Sequence, residues 1–243
     1  MTTEELKVFI SYSHKDADLK RQLDTQLVNL QRTVPLDIWS DNMIAAGQDW
    51  NEEIFSKLRA SQIILLLISP DFIASDFAYE KEMKEALNMH DYKQALVVPV
   101  MLRIVKEDGH PFSKIQTLPS APRFISEWQD LDAAFTNVLT GLDLSIQQFI
   151  KNRKVRDINV RENELVEYAT NGELLSACDK LMDFASDFSP GIGYRREAMT
   201  IKGTCKYILK NCMDDVDQIQ KIILMILKLI DEIKLSPYLN KAV

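Results

Sequence analysis

The segment "SPDFIASDFAYEKEM", residues 69 to 83, holds two neighbouring carboxylates, Glu80 and Glu82. A lone carboxylate in a water-poor crevice can stabilise positive charge growing on a reacting ring, or move a proton. On a helix beginning near Ser75, spacing tells the two apart. Glu80 has Lys84 one turn on, in the favourable orientation, and Lys81 has Glu85, so both pairs read as surface ion pairs. Glu82 has Ala78, Tyr79 and Ala86 at helical spacing, with no lysine or arginine among them. It borders a face made by Tyr79, Met83, Ala86, Leu87 and His90. A carboxylate at such a border is the candidate for chemistry.

Elements that position it follow from the hydrophobic pattern. "KVFISY" (7–12) reads as a buried strand, and "SHKD" after it offers Ser13 as a helix cap with Asp16 closing a capping box. The helix it opens carries Leu19, Leu23, Leu27 and Leu30 on one face. "LDIW" (36–39) is a second strand, and the loop after it holds Gly47. Asp49 is placed to cap a further helix. "QIILLLIS" (62–69) is apolar at consecutive positions, as a central parallel strand covered on both faces must be. "ALVVPV" (95–100) is a fourth strand, whose proline suits an end or an edge. A last helix is expected over about 130–149. Strands alternating with helices predict an α/β sheet covered on both faces, with its site beyond the carboxyl ends of the strands.

After residue 151 the period changes. Leu174, Cys178, Leu181, Met182 and Ala185 share one helical face, and Ala198, Ile201, Cys205, Ile208 and Leu209 share another. Val216, Ile219, Ile222, Ile223, Ile226, Ile230 and Ile233 share a third. "NELVEYATNG" (163–172) reads as a short helix closed by Gly172. The sequence thus predicts two domains, 1–151 of α/β class and 152–243 an all-α bundle of about four helices, with the charged run "KNRKVR" (151–156) at the boundary. A bundle this small suggests self-association or a partner.

Composition narrows the function. The 243 residues carry a formal charge of −7, against broad binding of nucleic acid or membrane surfaces. Seven glycines form no phosphate-cradling motif, and three cysteines with three histidines form no metal set or disulfide framework. No resident cofactor or metal is expected. The start of the chain lacks signal-peptide character, and "IILMILKLI" (222–230) is too short to span a bilayer, so a cytoplasmic location is expected.

Four blocks, "FISYSHKD", "IWSD…G", "LLLISPDFIASDFAYEKEM" and "PFSKIQTLP…W", occur in an order and spacing that resembles the Toll/interleukin-1 receptor (TIR) domain of bacterial type, over about residues 6–147. The resemblance implies a flavodoxin-like parallel sheet. It also implies one of two activities: hydrolysis of NAD⁺ with release of nicotinamide, in cell-death or antiphage defence, or non-enzymatic scaffolding through TIR–TIR contacts. In such enzymes the catalytic glutamate precedes Met or Leu, a step that Glu82–Met83 matches. The resemblance further implies substrate contacts from Ser11, Tyr12, Ser13, Asp41, Gly47 and Phe77, the last standing where many members have tryptophan. Many members carry cysteine where this chain has Ala78. The loop from Asp41 to Gly47 resembles the family's BB loop, which reaches a neighbouring protomer. "ELLSACDKLMDFASDF" resembles small effector-associated domains that couple such enzymes to sensor proteins. A phosphoacceptor receiver domain shares this architecture but needs an aspartate ending the third strand, where Ser69 stands. A nucleoside-transferring enzyme of similar fold is a lesser alternative.

Overall fold

The computed structural model describes residues 5–40, 50–75, 81–106, 109–120, 123–188, 192–211 and 215–236. The chain folds as two compact units, 1–149 and 150–243.

In the first unit β1 (Leu6–Ser11), β2 (Leu36–Ser40), β3 (Ile63–Ile68) and β4 (Leu96–Met101) form a wholly parallel sheet in the order β2-β1-β3-β4. This is the flavodoxin-like arrangement. Every residue of β3 is fully buried, as its unbroken apolar run requires of a strand covered on both faces. Pro99 lies within β4 rather than at its end, and is tolerated because β4 is an edge strand of the sheet. The carbonyl of Pro99 accepts from the Leu118 amide at 2.9 Å, and Leu118 makes an isolated parallel bridge to Val100.

Alternation along the strands builds two cores. Val8, Ile10, Leu65, Leu67, Val98 and Val100 face Leu23, Leu27 and Leu30 of α1 (Ala17–Gln31) and Phe135, Val138 and Leu142 of a later helix. Phe9, Ile64, Leu66, Ile68 and Val97 face Ile54 and Leu58 of α2 (Trp50–Ala60), with Met83, Ala86 and Met89 of α4 (Met83–Asp91). The short α3 (Pro70–Ile73) follows β3 directly, with Ser69 as its cap and Pro70 in its first turn, where the missing amide costs no hydrogen bond.

The helix after β4 departs from the sequence reading. α5 is one helix of 40 residues, Leu131–Thr170, and supplies residues to both units. "KNRKVR" is helical, not a break, because lysine, arginine and asparagine present no steric obstacle to a helix and no glycine or proline interrupts the run. The expected short helix at 163–172 is its last turns. It closes at Gly172, whose φ of 84° lies in the left-handed region, and the Glu173 amide caps the Tyr168 carbonyl at 3.0 Å. In the second unit α5 is followed by α6 (Leu174–Phe188), α7 (Ile192–Asn211) and α8 (Val216–Lys234). Their shared core includes Leu181, Phe184, Ile201, Ile226 and Ile230. Val216, placed on the apolar face of α8 by spacing, is exposed in its first turn. Cys178 and Cys205 are buried free thiols in this core, and burial pushes the Cys178 thiol up to about 12, so it stays protonated. Among the described residues no helix is long and apolar enough to cross a membrane.

Candidate active site

Ser11 ends β1, and alternation sends its side chain to the α2/α4 face together with Phe9, while Ile10 and Tyr12 join the opposite core. There the Ser11 hydroxyl donates to Oε2 of Glu82. Glu82 is 5% exposed and Ser11 2%. A wide, π-type turn at Lys81–Glu82 leads into α4, a rare geometry that is frequent at functional sites. Met83 and Ala86, fully buried against the sheet, hold that entrance in place. A buried carboxylate is costly unless hydrogen-bonded, so the Ser11 contact both offsets its desolvation and fixes its direction. Nearby on the same face Trp39 stacks on Phe9 with ring centroids 5.2 Å apart.

A second buried carboxylate lies at the same edge of the sheet. Asp16, 3% exposed, accepts from the Ser69 hydroxyl at 2.5 Å and from Nε of Arg103 at 2.8 Å. The Arg103 guanidinium also donates through Nη2 to Asp71, whose other oxygen accepts from Lys15 at 2.8 Å. The guanidinium, and then Lys15, hold the Asp71 carboxyl below the usual carboxylate range, and Asp71 in turn raises Arg103. Ser69 completes the cluster by accepting from the Phe72 amide at 3.0 Å.

These contacts correct the expected capping box. Residues His14–Asp16 form a 3₁₀ turn, and the Ser13 side chain makes no cap hydrogen bond. The Asp16 amide does bond the Ser13 carbonyl, at 2.7 Å, but the carboxylate turns inward, because a guanidinium and a hydroxyl satisfy it better than one backbone amide. Glu85 also meets Nε of Arg59 on α2 at 2.6 Å, a tertiary partner that helical spacing does not reveal.

On the α1 side of the sheet, Lys20 is a buried lysine. It donates to Asp24 at 2.7 Å and to the buried Ser40 hydroxyl at 3.1 Å, and its ammonium lies 5.6 Å from the centre of the Tyr12 ring. His14 is exposed and meets Tyr12 edge-on.

Of the candidate site residues, the structure brings Ser11 and Glu82 into direct contact and puts Tyr12 across the sheet from them. Ser13 is half-buried in the turn between. Asp41, Gly47, Phe77 and Glu80 lie outside the described residues, as does Asp49. Sequence reasoning missed Arg103 and Lys20 and gave Asp16 only a capping role. An aspartate just past a buried strand, with an arginine just past another, was the available signal for a cross-strand ion pair at the carboxyl edge. Among the described residues no group of three or more His, Cys, Asp or Glu side chains is arranged to hold a metal ion.

The family profile described as "TIR domain" matches residues 8–137. An uncharacterised protein of Sinorhizobium fredii (strain NBRC 101917 / NGR234), y4lF, is 41% identical over 131 residues, which make up 54% of this chain and 41% of that protein. The chain therefore spans well under two thirds of that relative's length. The region matched by the family profile holds most of β1, all of β2 to β4, and Ser11, Asp16, Glu82 and Arg103, and ends within α5.

Proposed function

This chain belongs to the TIR domain family, and on that premise we propose that it is an NAD⁺ glycohydrolase with Glu82 as its catalytic carboxylate. The observation that carries the reading is the buried Glu82, tethered by Ser11 beyond the carboxyl end of a parallel strand. In NAD⁺ the nicotinamide leaves a cationic pyridinium as a neutral base. Its departure needs no general acid, unlike an ordinary glycoside with its pair of carboxylates. What needs stabilising is the positive charge that develops on the ribose ring as the C–N bond breaks. A fixed carboxylate beneath that ring supplies this, and does so more strongly where water is excluded. The ring then takes an oxygen nucleophile, water in hydrolysis.

Tyr12, Ser13, Asp41, Gly47 and Phe77 are the proposed substrate contacts, with Phe77 stacking on the nicotinamide. Assembly through the TIR domain would complete the site. The helical unit would drive that assembly or couple it to a sensor protein. The setting would be cytoplasmic defence of a bacterial cell.

The test is direct. Purified chain is incubated with NAD⁺ over a range of protein concentrations, with nicotinamide release as readout. Release is expected, with specific activity rising as the protein assembles. No release at any concentration, with or without a crowding agent, would replace this reading with that of a non-enzymatic TIR scaffold.

A further inference from the structure

We propose that Arg103 and Asp16 are positioning residues for the Glu82 site, forming a clamp that ties together three chain segments at the carboxyl edge of the sheet. The inference rests on the reading of Glu82 as the reacting carboxylate. The first segment, from the end of β1 onward, carries Ser11, Tyr12 and Ser13 and then Lys15 and Asp16. The second, after β3, carries Ser69 and Asp71 and precedes Glu82 in sequence. The third follows β4 directly, where Leu102 and Arg103 donate their amides to the Ile68 carbonyl at 2.9 and 3.4 Å. Arg103 is thus fastened by its backbone to the end of β3, while its side chain reaches both of the other segments.

The guanidinium has the shape this task needs. Nε and Nη2 engage Asp16, and Nη2 also engages Asp71, so one planar group fixes two carboxylates in two chain segments. Asp16 is the pivot. Its other oxygen accepts from Ser69, the cap of α3, so the start of that helix is set by the same carboxylate. Lys15 closes the cluster on Asp71 from the first segment. Burial makes the arrangement intolerant. A carboxylate 3% exposed is costly to leave without its cation and its hydrogen bonds, and a lysine at 103 would supply the charge as a point without the fork. With its charge matched by Arg103, Asp16 holds the frame around Glu82 rather than reacting.

The experiment uses the full chain and two variants, Arg103→Lys and Arg103→Ala. The first keeps the positive charge and so guards against simple failure to fold. Two readouts are taken on each, hydrogen exchange by mass spectrometry and the kinetics of nicotinamide release. The Asp16 and Phe72 amides, bonded to the Ser13 carbonyl and the Ser69 hydroxyl, are the reporters. The clamp predicts faster exchange in peptides covering 12–17 and 69–75 in both variants, with β3 and α5 still protected. It also predicts that kcat falls by about tenfold to a hundredfold, as a slight misplacement of a catalytic group does, while KM moves much less. Rates in Arg103→Lys should lie between those of the parent and Arg103→Ala. Unchanged exchange in both segments would overturn the clamp. Faster exchange with parental kcat would overturn the positioning role. Faster exchange in a protein whose parent does not turn over NAD⁺ would support the clamp and overturn the glycohydrolase reading.

Discussion

Ser11 and Glu82 lie 71 positions apart in the chain, yet the hydroxyl of one donates to the carboxylate of the other inside the protein. Ser11 comes from the end of a central strand and Glu82 from the turn that opens α4, so the contact exists only once β1 and α4 have packed on the same core. This gives Ser11 a role beside the substrate contact implied by its position: it aims the carboxylate. Ser11→Ala should leave the fold intact but lower its stability by about 1.5–3 kcal/mol, the usual worth of a hydrogen bond to a charged group. Nicotinamide release should fall by about tenfold or more, equivalent to about 1.4 kcal/mol of barrier. Ser11→Thr, which keeps a hydroxyl, should recover part of both losses. Parental stability and turnover in Ser11→Ala would show that the contact does not matter.

The acid limb of stability should report the Arg103–Asp71 pair. Asp71 has a lowered pKa in the folded protein, mainly from the Arg103 guanidinium. A depressed carboxyl contributes stability that is complete above its unfolded value of about 3.9 and disappears as pH falls through the folded value. Asp71→Asn should therefore be less stable than the parent at neutral pH, and the gap should close below about pH 4. Thermal unfolding of both proteins across the acid and neutral range checks this. Parallel curves throughout would show that the pair adds nothing.

The sheet was legible because its strands are short, apolar and regularly spaced. β3 in particular declares its central place by six consecutive buried aliphatic residues. Glu82 was legible because a carboxylate beside Met83 and Ala86 conflicts with a plain amphipathic pattern. Its tether and the Asp16–Arg103 pair were not, because ion pairs between segments distant in sequence leave no periodic trace. Local rules also misled at Asp16, where capping spacing was met but a guanidinium from beyond β4 competed more strongly. The run "KNRKVR" read as a linker or a helix start, and helix propensity carries α5 straight through it.

The hydrophobic clusters predict that the first unit folds alone. Among the described residues, both cores around the sheet draw on residues no later than Ile146 and the helical core begins at Ile158. A fragment of residues 1–151 keeps Phe135, Val138, Leu142 and Ile146, which cover the α1 face of the sheet. It should be soluble and unfold cooperatively on heating, as single domains of this size do. An insoluble or molten fragment, from a full chain that behaves well, would show that the units depend on each other.

Everything proposed for the site turns on whether the Glu82 carboxylate does the chemistry. Glu82→Gln keeps the shape of the side chain and can still accept from Ser11, but removes the charge that would offset the developing cation. Glu85→Gln is the control, since its carboxylate pairs with Arg59 of α2 instead of with Ser11. Both variants and the parent should be matched for thermal unfolding and then assayed for nicotinamide release from NAD⁺ under assembled conditions. A catalytic Glu82 predicts a loss of roughly 10²–10³ in rate for Glu82→Gln, the typical effect of removing one electrostatic contact to the transition state, and near-parental turnover for Glu85→Gln. Parental turnover in Glu82→Gln would remove this carboxylate from the reaction.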